Sequence, residues 1–204
     1  VELQNMCPKE GVRIFAKLEG QNPTGSVKDR IALKMIEQAE MDGEISSKRT
    51  ILEPTSGNTG ISLAMIARLK GYKVTVVMPE NVSVERAQLL QAYGAEIINS
   101  DGSRGTNGSI EMAHDLMEKN PHDYLMLYQY GNPANPGAHY ETTGPEIVKA
   151  LPDAATFVAG LGTGGTLMGV ARRLKEHNPQ VKIVAVAPEP DDFISGLRSL
   201  EEGF

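Results

Sequence analysis

"TILEPTSGNTGISLAMIARLKGYKVTVVMP", residues 50–79, decides how the chain is read. An apolar run at 50–54 leads into a loop of Gly, Ser, Thr and Asn. An apolar-periodic stretch over 61–71 follows, and then a second apolar run at 73–79. Strand, helix and strand at this spacing make a βαβ unit, whose two strands lie parallel in one sheet. The pattern recurs: "KVTVVMP" (73–79) precedes the helical "SVERAQLLQAYG" (83–94), and "AEIINS" (95–100) precedes "SIEMAHDLMEKN" (109–120). "YLMLYQY" (124–130), "TFVAG" (156–160) and "VKIVAVA" (181–187) read as further strands, with helices predicted near 137–150 and 166–177. The fold class is therefore α/β with parallel sheets. Ligands of such folds bind in loops at the carboxyl ends of the strands.

Composition sets the outer bounds. The chain has 204 residues, of which 40% are hydrophobic and 23% charged, the make-up of a globular protein with one large or two small domains. A net charge of -6 and a pI near 5.3, with no basic run, argue against nucleic acid as a partner. No stretch approaches the ~18 apolar residues of a membrane span, and no signal-peptide pattern opens the chain. The single Cys7 permits no internal disulfide, so the cytoplasm is the expected compartment. His114, His122, His139, His177 and Cys7 show no metal-ligand spacing, and no metal is expected. The chain starts at Val1 and stops at "LEEGF", which reads as a fragment. "GNPANPG" (131–137) is the most boundary-like segment.

Four loops and one late segment carry candidate chemistry. In "KLEGQNPTGSVKDR" (17–30), Pro23 and Gly25 break regular structure, and Ser26 with Asp29 forms a capping-box-like helix start. Ile31, Met35, Ile36 and Ala39 continue at helical spacing until Gly43. Lys28 thus stands in the first turn, where the dipole disfavours a cation; a depressed pKa would make it an amine nucleophile. The alternative is a solvated lysine beside Asp29. "EPTSGNTG" (53–60) offers Thr55, Ser56, Asn58 and Thr59 as donors around Gly57 and Gly60, either an anion nest or a capped turn. "GLGTGGT" (160–166) is a second such nest. Its Gly160, Gly162 and Gly165 also spell G-x-G-x-x-G, with Glu189 where a ribose-binding acid falls, so a non-catalytic dinucleotide-binding module stays open. In "YQYGNPANPGAH" (128–139), Gln129 either gives its amide to a ligand carboxylate or simply ends the strand, while Asn132 and Asn135 shape the turn. Arg198, in "FISGLRSL" (193–200), is either solvated beside Glu201 or Glu202 or forks onto a phosphate ester.

Together "NPTGSVKDR", "EPTSGNTG", "QYGNPANPGAHYETTGPEI" and "GLGTGGT", in this order, resemble the cysteine synthase family of pyridoxal-phosphate enzymes, of the tryptophan-synthase-β type. The resemblance covers essentially the whole chain. It implies two parallel-sheet αβα domains of fold type II: a smaller one over 15–132, and a larger one from 1–14 and 133–204 whose C-terminal remainder is missing. It implies pyridoxal 5'-phosphate as cofactor, with Lys28 its Schiff-base partner and later the base on the substrate's Cα. Asn58 would bond the ring hydroxyl, and Gly162, Thr163, Gly164, Gly165 and Thr166 the phosphate. Thr55, Ser56, Gly57, Thr59 and Gln129 would grip the substrate carboxylate; independently of the resemblance, the phosphate-ester reading of Arg198 would make O-phosphoserine its ligand. The implied reaction is β-replacement on an activated serine by a sulfur donor to give L-cysteine, with cystathionine β-synthase as the near alternative. A homodimer is implied for the full-length protein. Three departures stand out. The early "GNTP" segment and the last third are missing, Ala87 replaces the family's usual second arginine, and "APEPDDFISGLRSL" (187–200) is more similar to the B-type branch, which accepts bulkier sulfur donors.

Overall fold

The computed structural model describes residues 1–202 apart from 8, 47, 56, 191 and 193, with side chains as far as 201. Strands β1 (Thr50–Pro54), β2 (Val74–Pro79), β3 (Glu96–Ser100) and β4 (Tyr124–Met126) form one parallel sheet in the order β3-β2-β1-β4. Ile51 pairs with Val74, and Thr50 with Tyr124. β1 and β2 are central and almost wholly buried, which is why they are nearly continuous apolar runs rather than alternating ones. The pleat sends alternate residues to opposite faces. Ile51, Val74, Val76 and Met78 pack against α1 (Lys28–Met41) and α2 (Asn58–Lys70). Leu52 and Val77 pack against Ala113 of α4 (Gly105–Lys119) on the other side. Each such aliphatic burial contributes about 1.5–3 kcal/mol. The central strands therefore carry the sheet, and edge strand β3, with Glu96 and Asn99 exposed, follows. α3 (Val84–Ala92) leads into that edge.

Two elements differ from the sequence expectation. The strand predicted over 124–130 stops at Met126. Beyond it the N–H groups of Tyr128 and Gln129 donate to the Glu53 carboxylate at 2.8 and 3.0 Å instead of continuing the ladder, and Tyr128 turns the chain at φ +53°. The helix predicted from 137 begins at Ala134: α5 (Ala134–Ala138) runs through a π-helical turn (His139–Thr143) into α6 (Gly144–Ala150). Asn132 Oδ1 accepts the Ala134 N–H at 2.9 Å, and Pro136 lies in the first turn, where a missing N–H costs nothing. Ala134 and Ala138 pack into the core shared by α1 and α2.

A second parallel sheet pairs β5 (Thr156–Gly160) with β6 (Lys182–Val186). α6 and α7 (Gly165–His177) cover it through Ile147, Val170 and Leu174, with Val181 completing this smaller core. Among the described residues, no helix is long and apolar enough to cross a membrane.

Candidate active site

Lys28 is the first residue of α1, and the loop before it is pinned on both sides. Asn22 Nδ2 donates to Glu19 Oε2 at 2.9 Å and to the Ser26 carbonyl at 3.0 Å. Ser26 Oγ accepts the Lys28 N–H at 3.1 Å, but the N-cap position itself falls to Val27 and not to Ser26 as expected. Asp29 does not complete a capping box. Its carboxylate takes the Thr24 N–H at 2.8 Å, the Thr24 hydroxyl, and the Ser62 hydroxyl at 2.6 Å, tying the loop to α2. That commitment removes Asp29 as a solvated partner for Lys28. Among the described residues the Lys28 amine makes no hydrogen bond or ion pair, and burial pushes it below its ordinary value. Next to it, Arg30 binds both Glu19 and Glu146. Burial would raise Glu19, but bonds from Arg30, Asn22 and Lys17 bring it down to about 2.

The loop after β1 lies against the bend after β4. Thr55 is buried, and its Oγ1 accepts the Gly57 N–H at 3.2 Å. Thr59 Oγ1 donates to Gln129 Oε1 at 2.7 Å in a buried contact. Asn58, at the start of α2, is exposed, and a Cβ on Gly57 would sit 3.5 Å from the Arg86 guanidinium carbon. Ser56 lies outside the described residues. Under this loop, Glu53 is fully buried, and burial pushes its carboxyl up to about 8 against the opposing pull of the Gln129 and Tyr128 N–H groups and the Gln129 amide.

Asn135 connects this loop to the next. Its Nδ2 donates to the Gln129 carbonyl at 2.9 Å and to Thr163 Oγ1 at 2.9 Å, and Thr163 Oγ1 also takes the Gly165 N–H at 3.4 Å. Gln129, Asn135, Thr163, Gly164 and Gly165 line a cleft of about 200 Å³. Gly164 stands at φ +80° at the start of α7, with open space where a side chain would project. Thr166 Oγ1 meets His139 Nε2 at 3.1 Å, and His139 Nδ1 meets Thr143 Oγ1 at 2.9 Å. Burial, with the charges of Lys28 and Arg30, holds His139 down to about 4. A helix N-terminus with convergent N–H groups, two hydroxyls and an unencumbered Gly164 fits a phosphate monoester, and a partly desolvated amine fits its carbonyl.

The dinucleotide alternative does not match this loop. A Cβ on Gly160 would sit 2.6 Å from Leu197 Cδ2, and one on Gly162 would sit 2.5 Å from the Gly196 carbonyl. The first two glycines therefore admit the turn around Gly196 without a clash, and the exposed Glu189 accepts the Asp192 N–H through its carbonyl. Arg198 is half-buried rather than solvated beside Glu201 or Glu202. Its Nη2 donates to Asn107 Oδ1 at 2.9 Å and its guanidinium lies 5.2 Å from the Tyr130 ring.

Sequence reading missed three residues. Glu53 carried a signal, an acid inside an otherwise apolar strand, which is rare without a partner. His139 carried only its lone position. Asn135 shapes the turn, as Asn132 does, by donating to the Gln129 carbonyl, but it also reaches Thr163, which no local pattern discloses.

The family described as pyridoxal-phosphate dependent enzyme matches residues 1–203. A cysteine synthase of Staphylococcus aureus is 49% identical over 213 residues, covering 100% of this chain and 68% of that one. The crystal structure of cysteine synthase from Entamoeba histolytica superposes with a TM-score of 0.90 at 39% identity, over 97% of this chain and 62% of its own. A hydrogen sulfide-producing enzyme from Fusobacterium nucleatum gives a TM-score of 0.82 at 50% identity, over 87% and 60%. The chain thus spans about two thirds of the length of the proteins it matches.

Proposed function

The chain belongs to the family of pyridoxal-phosphate dependent enzymes, and from that premise we propose that the protein is a cysteine synthase, replacing the β-substituent of O-acetylserine or O-phosphoserine with sulfur to give L-cysteine. Its fold is the α/β, parallel-sheet fold type II of the cysteine synthases it superposes on. The observation that carries the reading is Lys28, an amine without a protein partner among the described residues, lowered by burial and set on a pinned loop.

Lys28 would hold the cofactor by its amine, Asn58 would meet its ring hydroxyl, and Thr163 to Thr166 would hold its phosphate. When bound, pyridoxal phosphate supplies an electron sink for charge released at the substrate Cα. The residues of the chain do the rest. Thr55, Ser56, Thr59 and Gln129 bind and orient the substrate carboxylate, fixing which Cα bond faces the lysine. The Lys28 amine, neutral more of the time because it is desolvated, takes the Cα proton and later returns it. In net terms the Cβ–oxygen bond to the leaving group breaks and a Cβ–sulfur bond forms. The resemblance of 187–200 to the B-type branch favours a sulfur donor bulkier than sulfide. The smaller domain of 15–132, the cytoplasm and a homodimer of the full-length chain belong to the same reading.

Borohydride reduction of the full-length holoprotein should fix the cofactor on Lys28, and Lys28→Ala should abolish both the imine absorbance and cysteine formation. Cofactor trapped on Lys34 or Lys48 would overturn the assignment. Turnover of free serine with homocysteine, and not of the two esters, would replace it with cystathionine β-synthase.

A further inference from the structure

We infer that Asn135 is a positioning residue that couples the substrate-carboxylate loop to the phosphate nest, so that a phosphate held at one raises the affinity for a carboxylate at the other. The inference deepens the proposed cysteine-synthase reading and rests on it. The orientation of the amide is fixed by chemistry. The Gln129 carbonyl can only accept, so the group facing it is the Asn135 NH2. The two amide hydrogens then serve two acceptors at 2.9 Å each, the Gln129 carbonyl and Thr163 Oγ1. The amide oxygen is left buried without a hydrogen-bond partner. It faces Gly165 so closely that a Cβ there would collide with it.

Both ends of this link bear on ligands. Thr163 Oγ1 accepts from Asn135 and from the Gly165 N–H, so its own hydroxyl hydrogen is directed to an acceptor in the cleft, such as a phosphoryl oxygen. Gln129 is held at three points: its N–H by Glu53, its side-chain oxygen by Thr59, and its carbonyl by Asn135. A ligand that fixes Thr163 fixes Asn135, and through it the residue that carries Thr59. Coupling of this kind is reciprocal and typically about fivefold or more in affinity. Asn135 lines the same cleft, but both of its amide hydrogens are committed to the protein, so it acts through Gln129 and Thr163.

The test uses full-length protein reconstituted with pyridoxal phosphate or with pyridoxal, which lacks the phosphate ester. The affinity for L-alanine, which has a carboxylate but no leaving group, is read from the shift in imine absorbance. In the wild type the phosphate ester should tighten L-alanine by about fivefold or more, and in Asn135→Ala that ratio should fall to about 1 while the imine on Lys28 still forms. Should the alanine variant fail to fold, Asn135→Asp serves. Its carboxyl donates one bond, and only when protonated, so the ratio should recover in part as pH is lowered, a profile that a merely structural role would not produce. A normal imine with an unchanged ratio in the variants, or a wild-type ratio of 1, would overturn the coupling alone. No imine on the wild type would overturn the underlying reading and the coupling with it.

Discussion

Replacing Glu53 with Gln should change the sign of a stability difference across neutral pH. Glu53 is fully buried, and burial lifts its carboxyl from 4.5 to about 8. An acid with a raised folded pKa contributes most below its unfolded value, and that contribution is lost as pH rises through the folded one. At ~1.4 kcal/mol per pH unit, the interval corresponds to about 5 kcal/mol lost between pH 4.5 and pH 8. A glutamine side chain does not titrate, so the variant lacks this slope. It carries a constant cost instead: its NH2 faces one of the two N–H donors of Tyr128 and Gln129 that the carboxyl accepts, leaving that donor unpaired at about 1–3 kcal/mol. Glu53→Gln should therefore be less stable than wild type at pH 4, match it near pH ~6, and exceed it by roughly 2–4 kcal/mol at pH 8. Urea unfolding at a series of pH values measures this, since at ~1–3 kcal/mol per molar each kcal/mol moves the midpoint by a readable fraction of a molar. The difference curve isolates Glu53 from His139, which titrates in an overlapping window with the opposite sign. Parallel curves for the two proteins from pH 4.5 to 8 would refute the reasoning.

Two further outcomes follow from the same contacts. His139 is held neutral down to about 4 against an ordinary 6.5, so the wild type should lose up to about 3 kcal/mol as pH falls through that interval; thermal midpoints of His139→Gln should show a flatter acid limb, and an unchanged limb would place the titration elsewhere. Arg198→Ala removes a guanidinium stacked on Tyr130 and bonded to Asn107, so kcat/KM should fall by a similar factor for O-acetylserine and O-phosphoserine; a roughly tenfold loss confined to the phosphate ester would restore the direct phosphate contact expected from sequence.

What the sequence disclosed and what it withheld separate along one physical line. β1 and β2 were legible because a parallel strand between two helix layers is an apolar run whatever its neighbours are. The loops at 55–60 and 162–166 were legible as strand-to-helix turns, because the small residues that such a turn needs are local. Lys28 was legible for the same reason, through Ser26 two residues before it. The early end of β4 was not, because the group that diverts it, Glu53, stands 75 positions away in the chain. Nor was the role of Asn135, whose partner Thr163 lies 28 positions on, or the placement of Arg198 against Asn107, 91 positions back. Asn132 and Asn135 both precede proline and are indistinguishable to any local rule; one caps α5 and the other bridges two loops only because the fold brings Gln129 and Thr163 to the same amide. The residues proposed to present a ligand group announce themselves through their own turn, whereas Asn135, proposed to hold two loops in register, is defined by distant acceptors. At such a position a substitution would leave every proposed ligand-facing side chain intact and still uncouple the loops.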